Sequence, residues 1–142
     1  EFWQFWQLRD CYDGIFGYRN IRGDGYSRAF VEKIVCILLK IYFGISVPDA
    51  NAPFRLMKCD KVKAYLHSLP KDYNLPNIMM TTYFVYYNEK VTFKTITFKP
   101  RQAGKNSINF KRIVRIGLKA LGDFVRFRKE MRRRNELGER QL

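Results

Sequence analysis

One histidine, three cysteines and 13 acidic residues are all that the 142-residue chain offers for metal or triad chemistry. Metal centres and nucleophile–base triads need several such side chains working together. His67, alone on a helix near Leu66 and Leu69, is read as structural or solvated. Cys11, Cys36 and Cys59 are odd in number and far apart. That excludes a disulfide framework and paired zinc spacing, and fits a reducing compartment. Long apolar runs are missing too: the longest, Ile34 to Val47, is short and carries Lys40, so no bilayer-spanning helix is expected. No charge-plus-apolar leader pattern stands at the start. The chain opens at Glu1 rather than Met, as a piece of something longer would. Repeats and low-complexity linkers are also absent.

What is present is apolar surface and positive charge. At 46% hydrophobic and 16% aromatic the chain is too apolar for disorder, and its length suffices for one domain with a real core. Lys and Arg number 27, for a net charge of +14. Half of that charge lies from Lys111 onward, where 11 basic residues face 4 acidic ones. An anionic partner is expected: nucleic acid, a membrane surface or a phosphate-bearing substrate.

Periodicity divides the chain into alternating helices and short strands, a mixed α/β pattern. Glu1–Cys11 reads as the end of an aromatic-rich helix and Tyr12–Tyr18 as a strand. Ser27 is placed to cap a helix over Arg28–Phe43, with Gly44 past its end. Phe54–Met57 is a strand candidate; Asp60 is placed to cap a helix that runs to Leu69 before Pro70. Pro76 suits the first turn of a helix to about Tyr87. Val91–Phe98 alternates β-branched and aromatic residues as a strand does. From Ile108 to Arg134, Phe110, Ile113, Val114, Gly117, Leu121, Phe124 and Val125 define one apolar face, with Lys111, Arg112, Arg115, Lys119, Arg126, Lys129 and Arg133 opposite. Such a helix packs on its own domain, lies in a membrane interface or meets nucleic acid. Residues 135–142 read as a frayed tail.

Three loops have the residues for chemistry. In Arg101-Gln102-Ala103-Gly104-Lys105-Asn106-Ser107, Gly104 permits close approach, a helix N-terminus follows, and Arg101 and Lys105 supply cations suited to phosphate. A plain capped strand-to-helix turn is the alternative, and the second glycine of a Walker motif is missing. Between Val47 and Arg55, Asp49 sits between two prolines in an apolar setting. A carboxylate there acts as a general base with a raised pKa, or closes an Asx turn, or pairs with a nearby arginine. Between Gly17 and Arg28, Arg19, Arg22 and Arg28 make an anion site or a solvated loop.

Taken in order, these segments resemble the C-terminal half of a family 2 glycosyltransferase of the type-A fold, in the branch of dolichol-phosphate mannosyltransferase and the bacterial polyprenyl-phosphate glycosyltransferases. Gly17-Tyr18-Arg19 matches the family's Gly-x-Arg, and Asp49 through Phe54-Arg55 matches Asp-x-x-x-Gly-Phe-Arg with Pro53 in place of Gly. Arg101, Gly104 and Lys105 match Arg-x-x-Gly-x-Ser, the serine falling one place late at Ser107 with Asn106 in its position. The likeness runs from about Tyr12 to Arg128.

The resemblance implies an incomplete type-A fold: a partial, acceptor-side transferase domain over 1–107 and an amphipathic basic helix over 108–134. It implies transfer of a sugar from a nucleotide-sugar donor to an acceptor, a polyprenyl (lipid) phosphate at the cytoplasmic face of a membrane, with peripheral contact through the C-terminal helix. Asp49 would stand at the acceptor side as base or orienting carboxylate. Arg101, Lys105 and Ser107 would neutralise phosphate, and Arg19, Arg22 and Arg28 would line the same basic rim. A divalent metal (Mg or Mn) is expected for the complete enzyme. Its Asp-x-Asp ligand motif does not occur in these residues, nor does the Gln-x-x-Arg-Trp of processive synthases. Without a nucleotide-binding half, the residues alone are expected to be inactive. The competing expectation is a basic nucleic-acid-binding module without catalysis.

Overall fold

The computed structural model describes residues 2–19, 26–71, 73–97 and 110–137, with only the backbone described for 26–28 and 110–116. It is mixed α/β, with a small three-stranded open sheet and five helices among the described residues. The elements are α1 (Phe2–Trp6), β1 (Gly14–Arg19), α2 (Tyr26–Phe43), β2 (Phe54–Met57), α3 (Cys59–Leu66), α4 (Pro76–Tyr86), β3 (Val91–Ile96) and α5 (Phe110–Glu136). They divide into two compact units, Glu1–Pro100 and Arg101–Leu142.

In the first unit β1 is the central strand. It pairs antiparallel with β2, Ile15 opposite Leu56, and parallel with β3, Ile15 opposite Thr92. Alternation along β1 sends Ile15 and Gly17 to one face and Gly14 and Phe16 to the other. On the first face α1 lays Phe5, wholly buried, against Ile15, Ile96 and Phe54. Gly17 is what lets it settle there. A Cβ at that position would come within 2.8 Å of Ile96 and 3.1 Å of Phe5. On the second face Phe16 meets Phe84 of α4 edge-on and stacks on Phe93 of β3.

Helix α4 explains its own depth. Its residues are apolar all round, and Ile78 through Phe84 are all buried. The two threonine hydroxyls in this run find partners within the helix, Thr82 donating to the Ile78 carbonyl at 2.8 Å and Thr81 lying 3.1 Å from that of Asn77. Tyr86 packs on Phe43 of α2, and Tyr83, Phe84 and Tyr87 pack on Tyr65 of α3. Burial and a hydrogen bond to Glu89 push the Tyr65 phenol well above its ordinary range. At the end of α4, Asn88 adopts φ 56°, while the amides of Asn88 and Glu89 reach back to Val85 and Phe84. That left-handed stop closes the helix and sends the chain into β3.

Asp13 fastens one end of the sheet. Its amide donates to the Lys90 carbonyl at 2.7 Å and its carboxylate accepts from the Lys90 amide at 2.9 Å. Its carbonyl accepts from the Lys58 amide, and its other carboxylate oxygen lies 2.8 Å from Lys58 Nζ. All three strands are thus tied at one residue.

Most expected elements appear, with β2 at its expected bounds and Pro76 in the first turn of α4. Gly44 takes φ +72° just past α2, its amide bonded to the Lys40 carbonyl. The expected caps do not form. Helix α2 starts at Tyr26, which puts Ser27 inside it. Helix α3 starts at Cys59 after an extended Lys58 with no side-chain cap, so Asp60 falls in the first turn. Lys58 is held there by its bonds to Asp13, which set the exit from β2. Helix α3 also ends at Leu66, the chain tightening through Ser68 and Leu69 before Pro70. Strand β3 ends at Ile96, and Phe98 lies outside the described residues.

In the second unit α5 is a 27-residue helix. Its buried side chains are Ala120, Phe124, Phe127 and Met131, while Val125 is 55% exposed. The apolar face is therefore rotated from the expected one, because apolar residues cover more of the helix than one stripe. Lys119, Arg126, Lys129 and Arg133 are exposed, as expected of the basic face. The side chains of Lys111, Arg112 and Arg115 lie outside the described residues. No helix among the described residues is long and apolar enough to cross a membrane.

Two outcomes test this packing. Gly17→Ala overpacks the α1–sheet contact and is expected to cost about 1–3 kcal/mol in urea unfolding; an unchanged midpoint would mean the site is loose. The pKa of Asp13 is lowered from 3.8, chiefly by its hydrogen bond from Lys58. The unfolded chain therefore takes up that proton first as pH falls. The contribution is complete above the unfolded pKa and is lost as pH drops through the folded one. The stability gap between wild type and Asp13→Asn should narrow between about pH 5 and pH 2, measured by urea midpoints across that range.

Candidate functional site

The loop from Val47 to Pro53 carries no regular structure, yet Val47, Asp49, Ala50 and Ala52 are all buried. A buried loop must find partners for its backbone polar groups, and here four elements supply them.

From β1, Arg19 reaches Asp49. Its Nε donates to Oδ2 at 3.1 Å and its Nη2 to Oδ1 at 3.3 Å, a two-pronged pair. Oδ1 also accepts the Asn51 amide at 3.1 Å, closing an Asx turn. Asp49 is 2% exposed and the Arg19 side chain 9%. The two structural roles weighed for Asp49, turn closure and arginine pairing, are thus both filled.

From α2, Glu32 accepts the amides of Ala50 at 2.8 Å and Asn51 at 3.1 Å. Beside it lies Cys36, whose thiol is pushed up to about 11, first by burial and then by the nearby Glu32 and Asp49 charges. At neutral pH it remains a protonated, unreactive thiol. From β2, Arg55 donates to the carbonyls of Ala52 at 2.8 Å, Asn77 at 2.6 Å and Ala50 at 3.4 Å. Burial draws its pKa down to about 10, opposed by Asp49 and Glu32, so it stays charged at neutral pH. From α4, Thr81 Oγ1 lies 3.0 Å from the Ala50 carbonyl and 3.1 Å from that of Asn77.

The structure thus brings together Arg19 and Asp49, which the sequence placed in separate loops. The Arg28 side chain lies outside the described residues, as do Arg22, Arg101, Lys105 and Ser107 altogether. Glu32 was not anticipated. Its signal is that it is the single acid in the 18-residue α2, in a helix otherwise apolar or basic. Arg55 and Thr81 were likewise without an expected role; both act on backbone carbonyls, which no side-chain motif reveals.

Comparison with protein-family models, with curated proteins and with solved structures gives no match.

Among the described residues no three His, Cys, Asp or Glu side chains converge to hold a metal ion. The Asp49 carboxylate has its lone pairs turned to Arg19 and the Asn51 amide, and Glu32 faces two amides of the same loop. The described residues therefore do not fit a divalent metal.

The pair predicts a stability effect. Asp49→Ala is expected to lower unfolding free energy by about 3–5 kcal/mol, as breaking a buried pair does. Arg19→Met combined with Asp49→Ala should recover about 0.5–3 kcal/mol relative to the sum of the single losses. A double-mutant cycle by urea unfolding reads this; additivity would mean the two side chains act independently.

Proposed function

We propose that residues 1–142 form the acceptor side of a family 2 glycosyltransferase that moves a sugar from a nucleotide-sugar donor to a lipid phosphate at a membrane surface. The observation that carries this reading is the bidentate Arg19–Asp49 pair. It joins Gly17-Tyr18-Arg19 to Asp49–Arg55, two segments 30 residues apart that the resemblance assigns to one site. Two further features support it. Gly17 leaves room for Phe5 beside the strand that ends in Arg19, and Arg55 knits the loop that presents Asp49. Strand β2 is an edge of the described sheet, and none of its four residues is fully exposed. It offers an edge to which the strands of a larger sheet add.

In this reading an acceptor oxygen attacks the anomeric carbon, the bond from that carbon to the nucleotide's phosphate oxygen breaks, and the nucleotide leaves with the bond's electrons. A phosphate monoester has a second pKa near about 6, so its oxygen is already an anion at neutral pH and needs no general base. An Asp49 occupied by Arg19 suits that chemistry as an orienting carboxylate rather than a proton acceptor. Arg22, Arg28, Arg101, Lys105 and Ser107 are the groups proposed to meet phosphate. The donor-binding half and its metal site are proposed to belong to residues outside this sequence.

The test uses the chain joined to its upstream sequence, with membranes containing polyprenyl phosphate and a panel of radiolabelled nucleotide-sugars. A lipid-linked sugar is expected, and Arg101→Ala should cut its rate by about 100-fold, the cost of losing one charge-stabilising donor. No product from any donor, together with oligonucleotide binding that falls steeply with salt, would replace this reading with a nucleic-acid-binding module.

A further inference from the structure

Helix α1 is short, and its two sides differ. On the inner side Phe5 is wholly buried with Ile15, Ile96 and Phe54 around it. On the outer side Phe2 is 49% exposed, Trp3 70% and Trp6 41%. At 100° per residue those three fall within about 100° of one another, with Phe5 outside the arc. They are already ordered against each other. Phe2 stacks on Trp6 with ring centres 5.7 Å apart, and meets Trp3 edge-on at 5.7 Å. Arg9 closes one border, its guanidinium 4.7 Å over the Trp6 ring and donating to the Trp6 carbonyl at 3.0 Å. Asp10 lies 3.2 Å from Arg9, and both side chains are open to solvent. The aromatic area left in water comes to roughly 350 Å², a patch of the size that often serves a contact.

We propose that this patch is a two-fold contact between two copies of the chain. Its composition is that of an interface centre, where tryptophan and arginine carry most of the binding energy. Rings already held by their own stacking also lose little freedom on binding. Charge selects the occupant. Residues 1–13 hold three acids (Glu1, Asp10, Asp13) and one base (Arg9), net −2, against +16 for the rest of the chain. Contacts elsewhere would set predominantly cationic segments against each other; a contact here does not. The acid excess also disfavours nucleic acid and anionic lipid at this patch. A two-fold contact requires a surface complementary to itself. Arg9 next to Asp10 meets that requirement, because each arginine then faces the partner's Asp10. The proposal does not rest on the sugar-transfer reading.

Size sets the strength of the contact. A stable interface takes about 800 Å² from each partner. The aromatic rings supply under half of that, and the exposed Gln4, Gln7, Arg9 and Asp10 around them bring the contact towards it. A dimer with a Kd on the order of micromolar is expected. Phe5 pins α1 to the sheet, so a rigid element rather than a loop joins the two copies.

Analytical ultracentrifugation of the full chain across a concentration series reads the association. Trp3 and Trp6 are the only tryptophans in the sequence, so their emission reports the patch and should shift to the blue as dimer forms. Trp3→Ser should weaken association about 30-fold or more, as loss of a central anchor does. Arg9→Glu and Asp10→Arg should each weaken it, since either leaves like charges facing across the axis. An equimolar mixture of those two variants should associate again, because opposite charges then face. All three positions are exposed, so circular-dichroism melts of the dilute variants should match wild type. Wild-type chain that stays monomeric up to millimolar concentration would overturn the proposal. So would a dimer that Trp3→Ser leaves intact, or a mixture of the charge variants that associates no better than either alone.

Discussion

A carboxylate cannot remain charged in a protein interior unless something there replaces water. Asp49 is the point at which this structure meets that constraint, and much of the first unit is arranged around it. Arg19 supplies the opposite charge from the central strand, and the Asn51 amide supplies the turn. Once Asp49 is held, the loop behind it lies inside the protein with its carbonyls and amides, which accounts for Glu32, Arg55 and Thr81 converging on the same few residues. A side chain so fully engaged works through the geometry it imposes on its neighbours.

Helix α2 is the second place where one element answers to two environments. Its single acid faces the loop, while Ile34, Ile37 and Ile41 are exposed. The helix thus couples the interior network to whatever lies beyond the surface, with no flexible linker between.

The elements could be read from sequence where a local rule determines them. Proline fixed the start of α4, glycine the end of α2, and β-branched alternation the core of β3. Local rules failed where a distant group set the outcome. Asp60 is a good cap by composition, but Lys58 is held in place by Asp13 just ahead of β1, and the helix begins two residues earlier than an Asp60 cap would set it. The partner of Asp49 was limited to a turn amide or an arginine, yet nothing local says which arginine, because the pairing spans 30 residues. The face of α5 was misplaced for a different reason: Leu121 and Val125 compete with Phe127 and Met131 for the apolar side, and periodicity cannot rank them. The Arg101–Ser107 loop remains a matter of motif alone.

The knot at Asp13 carries a consequence for how the first unit assembles. Its bond to the Lys90 amide spans 77 residues, and the parallel β1–β3 ladder grows from it. A chain emerging from its N-terminus can pair β1 with β2 early, but the third strand has to wait for the intervening helices. Closing so large a loop is entropically costly before any contact is returned, and topologies of this kind fold slowly. Until then β1 presents one bare edge, open to the strand of another chain. The last step of folding is also the step that removes this hazard.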